Sequence, residues 1–227
     1  MDDFAGMGRA WMAGTEMSYI LETALRRIAE VLDFSWLEKP PVWLLGGSCG
    51  LLLHGVPLNA PPADIDLYAD LEDSILLHQA LCGYSVDGGP VEDFSGNCFS
   101  LRSRYFIGDT KVELVCGFQI GCPPLCYTTG VHSLLQYAPL SDIKGNGVLR
   151  LMPLAHELLF NLLRGRMDRC RMIASRMQGD LHLHTPLLQE LIEYSRLDES
   201  CHKQLSQLLM DPSLHPAATE IRKEAAL

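Results

Sequence analysis

Between Asp64 and Tyr68 the chain reads Asp-Ile-Asp-Leu-Tyr, with acidic and apolar residues taking turns. Side chains on a strand point to opposite faces in succession. A strand here therefore sends Ile65 and Leu67 into a core and leaves Asp64 and Asp66 together on the other face. Two carboxylates placed this way repel each other. A fold that keeps them must supply a counter-charge or leave that face to water. Oxygen-only ligands of this kind suit Mg²⁺.

Two other segments bear on the same face. Upstream, the apolar run Val42-Trp43-Leu44-Leu45 halts at Gly46-Gly47, which predicts a buried strand entering a tight turn. A short helix over Ser48–His54 follows, closed by Gly55 and Pro57. Such a turn lets backbone N–H groups and the Ser48 hydroxyl approach phosphate oxygens. Downstream, Thr110–Cys116 alternates so that Lys111, Glu113 and Val115 share one face, with Val112, Leu114 and Cys116 on the other. An acid in the middle of such a strand calls for a partner. Set beside the Asp64–Leu67 strand, Glu113 becomes a third carboxylate that could share one metal ion, or two, with the pair. Lys111 is then placed either to contact phosphate or to pair with Glu113.

The remaining elements set the fold class. Leu21, Ala24, Leu25, Ile28, Val31 and Leu32 form an apolar helical stripe. A helix from about Ser74 to Cys82 has Asp73 as its expected N-cap and Gly83 beyond its end. Strands joined by glycine turns fill Tyr84–Phe118. A helical piece at Val131–Tyr137 and a strand at Val148–Met152 come next. Pro153 suits the first position of a helix to about Arg164. Helices then follow at about Asp168–Met177, Pro186–Arg196 and Ser200–Met210, with His182 and His184 assigned to a loop. The expectation is an α+β fold: a mixed sheet flanked by helices over residues 1–150, then a helical C-terminal domain over 151–227.

Composition narrows the function. A net charge of −10 excludes a protein that coats nucleic acid through excess Lys and Arg, but not one that binds a small phosphorylated ligand. No apolar run reaches the roughly 18–20 residues needed to span a bilayer, and the first residues, Met1-Asp2-Asp3-Phe4, lack the pattern of a secretory signal. No membrane partner is expected, and a cytoplasmic location is. The eight cysteines contain no CxxC pair, so reduced core thiols are preferred to a zinc set built from Cys116, Cys122, Cys126 and His132. Arg164, Arg166, Arg169, Arg171 and Arg176 read as a solvated helix surface before they read as a phosphate or RNA patch. The text Gly46-x-Ser48-x-Gly50 matches a hydrolase elbow, yet no earlier strands precede it, and an elbow leaves the acids unexplained.

Taken in order, Leu44-Leu45-Gly46-Gly47-Ser48, a helix, Asp64-Ile65-Asp66-Leu67 and a later strand with Glu113 resemble the nucleotidyltransferase superfamily of the DNA-polymerase-β type. Among its members the text is most similar to small bacterial and archaeal proteins that include the AbiEii toxin group. The resemblance covers about residues 42–170. It implies Asp64 and Asp66 as Mg²⁺ ligands bridging a nucleoside triphosphate, and Glu113 as the group that activates the acceptor hydroxyl. Gly46, Gly47, Ser48 and Lys111 would line the phosphates. The implied reaction moves a nucleoside monophosphate to a hydroxyl on a small molecule, an RNA end or a protein, releasing pyrophosphate. Leu58–Ala63 lacks the Arg and Thr that relatives often carry there, and Asn161 and Arg164 stand where they often have Lys. These departures leave a second reading open: a degenerate member that binds without transferring, with an antitoxin or a second copy of the chain as partner.

Overall fold

The computed structural model describes residues 17–122, 125–143, 147–195 and 197–210, with no side-chain description for residues 122, 125 and 126. Helix α1 spans Tyr19–Val31 and starts at Ser18, whose side chain accepts a hydrogen bond from the Leu21 N–H, satisfying one of the amides that a helix start leaves open. Strand β1 (Trp43–Gly46) runs directly into α2 (Gly47–Leu53), and β2 covers Asp64–Ala69. Helix α3 (Ser74–Leu81) precedes β3 (Val91–Ser95), β4 (Cys98–Ile107) and β5 (Thr110–Cys122). After β6 (Leu125–Thr128) and α4 (Val131–Leu134), a ribbon of β7 (Leu140–Asp142) and β8 (Val148–Arg150) leads to four helices. These are α5 (Leu154–Leu163), α6 (Met167–Met177), α7 (Leu181–Ser195) and α8 (Glu199–Leu209).

The chain divides into two compact units. The first holds the described residues up to Asp93 with Ser100–Phe118 and Gly130–Met152. Its sheet follows the order β1-β2-β5-β4-β3, with β1 antiparallel and β5 parallel to β2. A hydrophobic core packs within this unit. Leu21, Ala24, Leu25 and Ile28 of α1 and Leu77 and Leu81 of α3 pack with Ile65, Leu67, Val112, Leu114 and Tyr105 of the sheet. The apolar members of the alternating strands are thus buried as a set, each fully buried Leu or Ile contributing about 2 kcal/mol.

The second unit holds Phe94–Phe99, Gln119–Thr129 and the described residues from Pro153 onward. Within it β6 pairs antiparallel with the last residues of β5. Every residue from Leu154 to Leu162 in α5 is buried. Helices α6 and α7 pack against α5, and α8 against α6, burying Cys170, Ile173, Met177, Leu188, Ile192 and Leu205. Among the described residues no helix is long and apolar enough to cross a membrane.

Three local expectations change. Asp73 precedes α3 but makes no side-chain cap. Its carboxylate instead accepts from the Val42 N–H at 3.0 Å and contacts His132 Nε2 at 2.9 Å, so tertiary partners outbid the local amide. His182 and His184 lie inside α7, which begins at Leu181 and contains Pro186 near its start. The ribbon strand β7 supplies a partner for β8 that its three residues did not announce.

Candidate active site

Gly46, Asp66 and Glu113 form a row across three neighbouring strands. Gly46 of β1 is the register partner of Asp66 in β2, and Asp66 is the partner of Glu113 in β5. One step away, Asp64 is opposite Lys111. Register partners project to the same face of a sheet, while the intervening Ile65, Leu67, Val112 and Leu114 fill the core. The strand alternation therefore brings Asp64, Asp66, Lys111 and Glu113 together, with Glu113 on the same side as the aspartate pair.

The glycine corner is fitted to this row. Gly47 has φ +60, a left-handed conformation that costs little for Gly and roughly 1–2 kcal/mol for other residues. A Cβ at position 47 would collide with Asp66 Oδ2, so the glycine makes room for that carboxylate. Gly50 has a different duty: a Cβ there would come 2.7 Å from the Leu45 carbonyl oxygen, so it lets α2 lie close on β1. Close packing accounts for the Gly46-x-Ser48-x-Gly50 text, and no hydrolase elbow is needed. Ser48 sits in the first turn of α2, a helix of only seven residues. His54, just after α2, is tied to the Met152 carbonyl at 2.8 Å and does not belong to the row.

Charge compensation at the row is local. Lys111 Nζ is 2.5 Å from Glu113 Oε1 and 3.8 Å from Asp64 Oδ2. The hydrogen bond to Glu113 is the main reason that the Lys111 ammonium is held above its ordinary pKa. Arg102 of β4 adds a second cation, 3.7 Å from Glu113 Oε1 and 3.3 Å from Asp93 Oδ2. Sequence reasoning missed Arg102. Its signal was parity, because Ser103, Tyr105 and Ile107 are buried and Arg102 alternates with them. Behind the row, burial pushes the Cys49 thiol up to about 12, with Asp66 and Asp64 adding to the effect. Cys49 is a core thiol, not a nucleophile.

The donor set of the row is all carboxylate, which suits a hard divalent cation, and Gly47 leaves space at Asp66 that any side chain would fill. Among the described residues, however, no three His, Cys, Asp or Glu side chains close on one point as a metal cluster; the Lys111 ammonium stands between Asp64 and Glu113. For the zinc reading, Cys116 is buried and its thiol is pushed up to about 12 by burial. The side chains of Cys122 and Cys126 lie outside the described residues. The arginines of α6 behave as surface residues: Arg171 is exposed and Arg176 pairs with Asp180 at 3.3 Å. Arg164, exposed at the end of α5, lies over the Phe160 ring at 5.1 Å.

No protein-family model matches the sequence, and no curated protein matches it significantly. Solved structures do. A candidate nucleotidyltransferase of Thermotoga maritima superposes with a TM-score of 0.53 at 18% identity, over 68% of this chain and 91% of that one. The mixed sheet with flanking helices and a helical C-terminal part is thus the nucleotidyltransferase fold. ANT(2″)-Ia, solved with adenylyl-2″-tobramycin, superposes more loosely, with a TM-score of 0.43 at 12% identity over 77% of this chain and 96% of that one. That superposition is too loose to define a shared fold.

Proposed function

We propose that the chain is a nucleotidyltransferase that moves a nucleoside monophosphate from a nucleoside triphosphate to an acceptor hydroxyl, with Mg²⁺ as its metal. The observation that carries this reading is the row Gly46–Asp66–Glu113, flanked by Asp64 and opened by a glycine at 47 that leaves Asp66 its space. A core strand that keeps two aspartates on one face beside a third acid serves binding better than stability, because like charges side by side destabilise a sheet.

In this reading Asp64, Asp66 and Glu113 would hold the metal. A bound divalent cation would neutralise charge on the triphosphate, which is most of what phosphoryl transfer asks of a site. Gly46, Gly47 and Ser48 border the phosphates, and Lys111 donates to a phosphate oxygen. Glu113 accepts the proton of the acceptor hydroxyl. The hydroxyl oxygen then bonds to the α-phosphorus, the bond from that phosphorus to the β-phosphate oxygen breaks, and pyrophosphate leaves with the electron pair. In this reading the nucleotidyltransferase-like domain lies within residues 1–150 and the helical C-terminal domain within 151–227, with Phe94–Phe99 and Gln119–Thr129 joining the second unit. The protein works in the cytoplasm.

One observation favours a second reading, that of a degenerate, AbiEii-like member acting through a protein partner. Lys111 already answers two of the three acids, so the site is partly neutral without a ligand. Isothermal titration of the four nucleoside triphosphates, with and without Mg²⁺, separates the two. Metal-dependent binding that is lost in Asp66→Ala supports the enzyme, and no binding under any condition leaves only the second reading.

A further inference from the structure

Lys111 has a place in the row that the nucleotide-binding role alone does not explain. Its ammonium does not reach out toward solvent, although the side chain is 40% exposed. It folds back to Glu113 at 2.5 Å and lies 3.8 Å from Asp64. Those acids stand on different strands, one opposite Lys111 in register and one two residues along its own strand. An ammonium between two carboxylates sits where a shared metal ion would be drawn by the same charges. The two cations repel each other and compete for the same oxygens, so they exclude one another from that position.

We propose that Lys111 is the site's resident counter-ion, which holds the carboxylate face together before metal arrives and gives way when it binds. This rests on the proposed function and adds an order of events to it. The displaced ammonium remains on a side chain anchored beside Asp64 and turns to the phosphate oxygens that come with the metal. Lys111 therefore opposes binding of a metal ion alone and favours binding of metal with triphosphate. The device biases the site against bare cations and toward the loaded nucleotide.

The test compares wild type, Lys111→Met and Lys111→Arg with two probes: Mn²⁺ alone, followed by its electron paramagnetic resonance signal, and inorganic tripolyphosphate with Mg²⁺, followed by titration calorimetry. The expected pattern is a crossover. Lys111→Met binds Mn²⁺ on the order of tenfold more tightly than wild type and Mg²⁺–tripolyphosphate more weakly. Lys111→Arg keeps the charge and restores wild-type behaviour in both. The melting temperature of metal-free Lys111→Met falls and is recovered by Mn²⁺, with a larger gain than wild type shows. Equal Mn²⁺ affinity in wild type and Lys111→Met overturns the inference and leaves the nucleotidyltransferase reading standing. A change of both affinities in the same direction also overturns it. If neither protein binds Mn²⁺ or tripolyphosphate, both the inference and the proposed function fall.

Discussion

On the face of β2 and β5, two of the three carboxylates are set against cations: Glu113 against Lys111 and Arg102, and Asp64 against Lys111. In the helical unit, Tyr127 and His156 are buried and meet as neutral partners, the hydroxyl 2.5 Å from His156 Nδ1. Burial drives the His156 pKa down to about 3 and the Tyr127 pKa above its ordinary value. Asn161, one helical turn after Glu157, donates to that residue's carbonyl at 2.8 Å. The first cluster keeps charge at a partly open surface and is therefore able to exchange one cation for another. The second gives charge up and is fixed. Function and structure divide along that line, since a buried polar group is tolerated when its hydrogen bonds are made, whereas a charged face persists where something binds.

The largest effect that could break this contrast is on catalysis. Asp66→Ala is expected to lower turnover by about a hundredfold or more, in the range seen when a transition-state charge partner is removed, while circular dichroism and melting temperature stay near wild type. A mutant of unchanged rate would remove the row from the chemistry. Next comes acid stability. His156 stays neutral when folded but takes up a proton near its ordinary pKa of 6.5 when unfolded, so the unfolded state binds more protons between those values. Stability is complete above pH 6.5 and falls as the pH drops toward 3, by up to about 1.4 kcal/mol per pH unit from this residue. Urea titrations between pH 6.5 and 5, above the carboxylate range, should show a slope smaller by about one proton in the Tyr127→Phe/His156→Leu double variant than in wild type. An identical slope would mean that His156 titrates normally.

Smaller effects sharpen the comparison. Tyr127→Phe leaves the buried His156 nitrogen without its partner and should cost about 1–3 kcal/mol in denaturant unfolding, with nucleotide affinity untouched. Gly47→Ala should cost roughly 1–2 kcal/mol from its left-handed backbone and, unlike Tyr127→Phe, should also weaken nucleotide binding by displacing Asp66. Arg104→Ala removes a half-exposed bidentate pair with Asp87 and should cost at most a small loss of stability, with nucleotide binding at its wild-type value.

The alternation in Asp64–Leu67 and Thr110–Cys116 was readable because burial on one face forces a period of two, and the same parity placed Glu113 with the aspartates. The pairing of β2 with β5 was conditional in the sequence, since nothing local states which strands neighbour each other. For that reason Arg102, which reaches Glu113 from β4, went unnoticed. Lys111 could be read as a phosphate ligand or as a partner of Glu113, and the 2.5 Å contact shows the second. The Asp73 cap failed because its carboxylate meets Val42 and His132, residues 31 and 59 positions away. Tyr127 and His156 were beyond sequence reasoning for the same cause: they come from strand β6 and helix α5, and only packing introduces them.

Diffraction from crystals soaked with Mn²⁺ and a non-hydrolysable nucleoside triphosphate analogue tests the account most directly, using the anomalous signal of the metal. The expected map has a Mn²⁺ peak ligated by Asp64, Asp66 and Glu113, the triphosphate next to Gly46–Ser48, and Lys111 Nζ moved from between the acids to a phosphate oxygen. A map with Lys111 still bridging Asp64 and Glu113, and with Mn²⁺ absent from that face or bound elsewhere, would contradict it.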